Sequence, residues 1–157
     1  TTPAQYFHAL RRQKKKEFAK PLILMAPKSL LRHKSCVSEL KELTKGRFEE
    51  FLPDPVPATR TDTLVLCSGK VYYDLIEARE AIRTPKASII RVEQFYPFNK
   101  EKFAKVIEPY AKAKKVVWCQ EEPENMGAWS FVQPLLIKLL KVSKIKDLSI
   151  EYVGRKK

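Results

Sequence analysis

What most constrains this chain is a series of short, almost wholly apolar runs separated by stretches of helical periodicity. Thr63-Leu64-Val65-Leu66-Cys67, Ala87 to Val92 and Val116-Val117-Trp118-Cys119 lack the strict apolar–polar alternation of a strand with one wet face. Such strands are covered on both faces, and in a parallel sheet the crossover helices provide the cover. Lys70 to about Arg83 puts Val71, Leu75, Ala78 and Ile82 on one stripe. Pro97 and Asn99 introduce a second helix, with Phe103, Val106, Ile107 and Tyr110 at helical spacing. A third, from about Ala128 to Lys141, turns Val132, Leu135, Leu136 and Leu139 inward, and Pro134 inside it predicts a late start or a bend. Leu148 to Val153 reads as a last strand. This order predicts an α/β fold, a three-layer sandwich with a mostly parallel sheet and helices on both faces.

The chain before Thr63 is less regular. Thr2 and Pro3 predict a capped helix start, with Phe7, Leu10 and Phe18 marking one face as far as about Ala19, and Pro21 ending it. Leu22 to Ala26 reads as a short buried strand, and Pro27 to Arg32 as a loop entering a helical turn. Residues 44–60 contain Pro53, Pro55 and Pro57 and read as an irregular surface connection.

A chain of 157 residues can build one real core. No apolar run approaches the ~20 residues of a membrane-spanning helix, and the start has no signal-peptide pattern. Thr1 stands where Met would open a complete reading frame, as in a processed or cut chain. Cys36, Cys67 and Cys119 are odd in number and form no Cys-x-x-Cys pair, which argues against a disulfide framework or a zinc knuckle. Cys67 and Cys119 sit in apolar runs as buried free thiols do, which fits a reducing compartment.

The net charge of +13 is uneven. Residues 1–47 carry 12 basic and 3 acidic side chains, residues 48–110 carry 9 and 10, and residues 111–157 carry 10 and 5. A basic surface suits nucleic acid, an anionic membrane or an acidic partner alike. The Lys14-Lys15-Lys16 block after Arg11 and Arg12 reads as a solvated helix face. Binding to single strands needs aromatics interleaved with the charges, and here only Phe18 and Tyr110 lie near a basic block.

Two groups of residues are candidates for chemistry. Ser68-Gly69-Lys70 joins a strand to a helix start, and Lys28, Ser29 and Arg32 follow the expected strand at 22–26. If the two strands are parallel, Lys28, Ser29, Arg32 and Lys70 converge at their carboxyl edge and suit a phosphate or carboxylate. The competing reading is a plain turn and a basic surface loop. The second group is the loop Gln120 to Trp129, in which Glu121, Glu122, Asn125, Gly127 and Trp129 fit a domain or subunit contact better than acid–base catalysis, since no committed partner is nearby. His8 and His33 have no metal-ligand spacing, and His8 reads as a structural side chain.

Several of these stretches together resemble the last part of the decarboxylating component of 2-oxoglutarate dehydrogenase. They are Thr2 to Gln13, Met25-Ala26-Pro27-Lys28-Ser29-Leu30-Leu31-Arg32-His33, Cys67-Ser68-Gly69-Lys70-Val71-Tyr72-Tyr73-Asp74-Leu75, Arg91 to Phe98, Trp118 to Trp129, and Tyr152-Val153-Gly154-Arg155. They occur in the family's order; residues 34–62 match little. The resemblance implies a transketolase-like C-terminal domain that buttresses a homodimer within a multienzyme complex of the tricarboxylic acid cycle. It implies a lead-in helix at 1–20 from the preceding domain and the C-terminal domain at 21–157. Thiamine diphosphate and Mg2+ would be held by preceding domains, since this chain has no Gly-Asp-Gly thiamine motif. No catalytic, cofactor-binding or metal residue is therefore expected here, and the fragment alone would be inactive. Implied partners are the preceding domains, the second subunit, the lipoyl-bearing succinyltransferase component and an acyl-CoA or nucleotide effector at Lys28, Ser29, Arg32 and Lys70. No membrane or nucleic acid is expected. The compartment implied is the bacterial cytoplasm, or the mitochondrial matrix of a eukaryote. The Ser/Ala/Pro-rich tail that follows Tyr-Val-Gly-Arg in the family is replaced by Lys156 and Lys157. The same domain of a 2-oxoadipate dehydrogenase, or a free-standing basic nucleic-acid-binding module, are the competing readings.

Overall fold

In a computed structural model the structure describes residues 1–18, 20–56, 61–82, 86–142 and 149–156. The chain divides into two compact units, Thr1–Glu49 and Glu50–Lys157.

The first unit holds helix α1 (Pro3–Lys14), a 3-10 turn at Lys28–Arg32 and the short helix α2 (Leu40–Thr44). Thr2 caps α1, its hydroxyl accepting from Gln5 N at 3.2 Å. The helix stops at Lys14, short of the expected end; Ala19 lies outside the described residues. Past Leu10 no apolar side chain continues the stripe until Phe18, and three successive lysines add like charge instead.

The buried face of α1 is Ala4, Gln5 and His8, whereas Phe7, Leu10 and Phe18 are 42%, 45% and 53% exposed. That reverses the expected orientation, because polar bonds decide it. Gln5 Nε2 donates to Glu49 O at 2.6 Å while its Oε1 accepts from Glu49 N at 2.8 Å. His8 Nε2 bonds Glu42 O at 2.7 Å, and the Arg12 guanidinium lies 4.0 Å from the centre of the Phe48 ring. The strand expected at 22–26 is absent. Leu22, Ile23, Leu24 and Met25 are exposed and belong to no strand.

The second unit is an α/β sandwich. Strands β1 (Phe51–Leu52), β2 (Thr63–Cys67), β3 (Ala87–Val92), β4 (Lys115–Pro123) and β5 (Ile150–Arg155) form one sheet in the order β1-β3-β2-β4-β5. All pairings are parallel except β1 with β3. Strand β1 lies in the stretch expected to be an irregular connection; two residues are too short for a periodicity to show. Pro57, the expected helix end at Arg83 and the expected strand start at Leu148 lie outside the described residues.

Period-two alternation assigns the faces. Leu64, Leu66, Ile90, Val92, Val116 and Trp118 pack with Phe103 and Ile107 of α4 (Lys100–Ile107) and with Trp129, Val132 and Leu136 of α5 (Trp129–Val142). Cys67, Ile89 and Cys119 pack on the opposite face with Val71, Tyr72, Leu75 and Ile76 of α3 (Val71–Glu80). Three layers result, as expected from the sequence. Asn99 caps α4 through Lys102 N at 3.0 Å. Pro134 is housed inside α5, which starts at Trp129.

Asp54 holds the β1 edge. Its fully buried carboxylate accepts from Ile89 N at 2.5 Å, from Val56 N at 2.9 Å and from the Arg79 guanidinium. One side chain thus ties the β1 loop, a strand and α3. Removing a partner from a buried ion pair strands the other charge. Asp54→Ala is therefore expected to lower the unfolding free energy by about 3–5 kcal/mol, read as a lower urea midpoint at unchanged slope.

Candidate functional site

The carboxyl edge of the parallel sheet is where an open α/β fold places ligands, at the point where the chain reverses its direction across the sheet. Here that point lies between β2 and β4. The chain leaves β2 through α3 to reach β3 on one side, then returns past β2 through α4 to reach β4 on the other. Cys67 at the end of β2 is level with Arg91 on one neighbour and with Cys119 on the other.

Lys70 stands over this crevice. Gly69 makes the turn that places it, with φ +77, a conformation costly for any residue with a Cβ. Lys70 Nζ lies 3.3 Å from a Glu121 carboxylate oxygen and 3.9 Å from one of Asp74. Glu121 follows β4's buried stretch, so the first ion pair spans the crevice from the β2 side to the β4 side. Lys28, Ser29 and Arg32 are exposed residues of the 3-10 turn in the first unit, while Lys70 belongs to the second. The strand at 22–26, from which convergence of the four was argued, is not formed.

The loop after β4 is organised by one amide. Gln120, 5% exposed, accepts at Oε1 from Trp118 Nε1 at 2.9 Å, from Trp129 N at 3.1 Å and from Ala128 N at 3.2 Å. Its Nε2 donates to Met126 O at 2.7 Å and to Pro123 O at 3.2 Å. The loop closes around that side chain and delivers the first backbone N–H groups of α5 to it, so Gln120 caps the helix from a strand. Gly127 is required twice over. Its φ is +68, and a Cβ there would meet Gln120 Nε2 at 2.9 Å. Tyr152 on β5 donates its hydroxyl to Glu122 O at 2.6 Å and holds the outer side of the loop.

Of the five contact candidates, Trp129 is buried in the unit's own core against Tyr152, at 5.4 Å between ring centres. Glu121, Glu122, Asn125 and Gly127 are exposed, as are Glu124 and Met126. The surface this loop offers is therefore acidic and amide-bearing.

Arg91 is a residue that pattern reading passed over. It lies at the carboxyl end of β3, buried, with its guanidinium carbon 3.9 Å from the centre of the Tyr72 ring and its Nε 3.9 Å from a Glu93 carboxylate oxygen. Stacking on an aromatic face suits a planar cation with little water around it. The signal in the sequence was a charge at the end of an otherwise apolar run, Ser88-Ile89-Ile90-Arg91-Val92.

The nearby thiols are not nucleophiles. Burial pushes the Cys67 thiol up to about 12, and burial also raises Cys119. Among the described residues no three His, Cys, Asp or Glu side chains converge as a metal set. Among the same residues no helix is long and apolar enough to cross a membrane.

Residues 37–157 match the family described as 2-oxoglutarate dehydrogenase C-terminal. The chain belongs to that family. It is 48% identical over 157 residues to the 2-oxoglutarate dehydrogenase E1 component of Azotobacter vinelandii, covering 99% of this chain and 16% of that protein. It is 48% identical over 140 residues to the namesake of Cupriavidus necator, covering 88% of this chain and 15% of the relative. The protein of the same name from Brucella anthropi is 46% identical over 167 residues, covering 99% of this chain and 17% of its own length. The chain thus spans about one sixth of the curated relatives it matches. As a 2-oxoglutarate dehydrogenase C-terminal domain, its conspicuous feature is an acidic loop at the sheet edge, hydrogen-bonded around Gln120.

Three outcomes follow from this geometry. Gln120→Ala leaves several buried donors and acceptors unmet at the start of α5 and is expected to cost about 2–4 kcal/mol in urea unfolding, from ~1–3 kcal/mol for each unmet group. A thiol reagent at pH 8 should label half-buried Cys36 and spare Cys67 and Cys119 until the chain unfolds. The folded Cys67 thiol keeps its proton between pH ~9 and about 12 while the unfolded one loses it, so stability should fall across that window.

Proposed function

We infer that this chain is the closing part of a thiamine diphosphate-dependent 2-oxoglutarate dehydrogenase E1 component. The parent would decarboxylate 2-oxoglutarate and pass the succinyl group to the lipoyl arm of its succinyltransferase partner. The observation that carries this is the family match over 37–157, joined to near-complete coverage of this chain by relatives of that name. Those names favour 2-oxoglutarate over 2-oxoadipate as the substrate.

The role of the domain itself is structural. Thiamine diphosphate and Mg2+ belong to the part of the parent that precedes this domain, since this chain has no Gly-Asp-Gly thiamine motif. The loop fixed by Gln120 presents Glu121, Glu122 and Asn125 to a neighbouring domain or to the second subunit of a homodimer. The hydrogen bonds that close it around Gln120 support that use, because a pre-ordered surface loses little conformational entropy on docking. Lys28, Ser29 and Arg32, exposed on the 3-10 turn of the first unit, are proposed as residues for an anionic effector of the acyl-CoA or nucleotide class, whereas Lys70 of the second unit is paired with Glu121.

The test is made on the full-length protein. Supplied with thiamine diphosphate and Mg2+, it is expected to turn over 2-oxoglutarate, and removal of residues 50–157 to abolish turnover. Decarboxylation by residues 1–157 alone would overturn the reading. Reversing two loop charges together, Glu121→Lys with Glu122→Lys, is expected to weaken the dimer at least about tenfold, since like-charge juxtaposition at an interface costs several kcal/mol. Sedimentation across a concentration series reads that change.

A further inference from the structure

Arg91 carries more donors than its surroundings use. It is 7% exposed, and its Nε and Nη1 are buried without a hydrogen bond among the described residues. The Glu93 carboxylate lies 3.9 Å from Nε, beyond hydrogen-bond reach. Tyr72 offers its ring face, 3.9 Å from the guanidinium carbon. Buried polar groups are nearly always hydrogen-bonded, and a buried cation with unmet donors is costly. Two such donors on one guanidinium call for an acceptor from outside the chain.

The place of Arg91 in the sheet says where that acceptor sits. It lies at the carboxyl end of β3, level with Leu52 of β1 and Cys67 of β2. Tyr72 is the second residue of α3, so the guanidinium rests against the first turn of a ten-residue helix. That end of a helix carries unmet N–H groups and a partial positive charge. No side chain caps it, and Lys70 N and Val71 N make no hydrogen bond among the described residues. A Cβ placed on Gly69 would meet nothing within 4 Å, so the turn before the helix has open space beside it. A buried guanidinium and a row of backbone donors thus meet at one sheet edge, supplied by two different elements.

The neighbouring charges decide what fits. Lys70 is paired with Glu121 and Asp74, and Glu93 lies beside Arg91. With those three carboxylates already set around two cations, a doubly charged phosphate is disfavoured. A carboxylate brings a single charge and two oxygens, enough to accept from the guanidinium and from the helix start together. We propose that the carboxyl edge between β2 and β3 is a binding site for a small carboxylate, held by Arg91 and the first amides of α3. Glu93 is then its competitor for the guanidinium. The site uses none of Lys28, Ser29 and Arg32, and it does not depend on which reaction the parent performs.

Hydrogen–deuterium exchange on the full-length protein, with and without succinate, tests it. At about 10 mM, roughly tenfold above a millimolar Kd, succinate is expected to slow exchange of the amides of residues 70–73 at least about threefold. Sodium chloride at equal ionic strength should leave them unchanged. Arg91→Met keeps an unbranched stem against Tyr72 but removes every donor, and it is expected to abolish the slowing. Glu93→Gln removes the competing charge and should lower the half-saturating succinate concentration at least about threefold. This second variant decides the matter if Arg91→Met does not fold. No slowing, equal slowing by chloride, equal slowing in Arg91→Met, or an unchanged half-saturation in Glu93→Gln overturns the proposal. Sodium phosphate that protects the same amides as well as succinate does overturns it too.

Discussion

A parallel sheet that is apolar on both sides cannot rest one face on water, and the architecture of the second unit follows from that requirement. Each strand alternates its apolar residues between two covers. Leu64 and Leu66 meet α4 and α5, while Val65 and Cys67 meet α3. The connections must then leave the strands on different sides, and the direction of travel across the sheet must reverse. The crevice at the ends of β2 and β4 results from this coverage. The Lys70–Glu121 pair, the buried Arg91 and the Gln120-centred loop are the ways this chain finishes its edge.

Buried polar groups do the finishing because apolar packing alone cannot fix where loops go. Asp54 and Gln120 act alike. Each is a hydrogen-bonding side chain sunk to 8% exposure or less, and each joins segments that the sheet does not join by itself. Left unmet, their partners would be costly, so each site specifies one loop path. Neither side chain points into open space as a reactive group would, and both residues read as architecture.

The central strands and helices were legible because their signals are periodic and local. Val71, Leu75, Phe103 and Ile107 lie where a helical stripe puts them, whereas Ala78 and Ile82, expected on the stripe of Val71 and Leu75, are exposed and Tyr73 is the buried residue of α3. What escaped was decided by single long-range bonds. The first helix buries Gln5 and His8 instead of Phe7 and Leu10, because two amide bonds to Glu49 and one imidazole bond to Glu42 outweigh the apolar stripe. Strand β1 has two residues, too few for any period. Gln120 lay in plain sight beside the acidic run, yet nothing local distinguishes a hub glutamine from a surface one. The apolar run at 22–26 predicts a buried strand, yet it forms none and stays exposed, because a pattern of side chains does not supply a pairing partner.

The interleaved strand order also bears on how this domain is made. A chain leaving the ribosome has completed β1, β2 and β3 by residue 92, and those strands are neighbours in the finished sheet. They can assemble with β2 as a temporary outer border. Strand β4 is threaded to that border only later, and β5 is laid beside it last of the five. For a time the nascent domain therefore carries the raw, apolar side of β2 as its boundary. The thirty or so residues that follow β3 are the ones that must arrive to shield it from wrong neighbours.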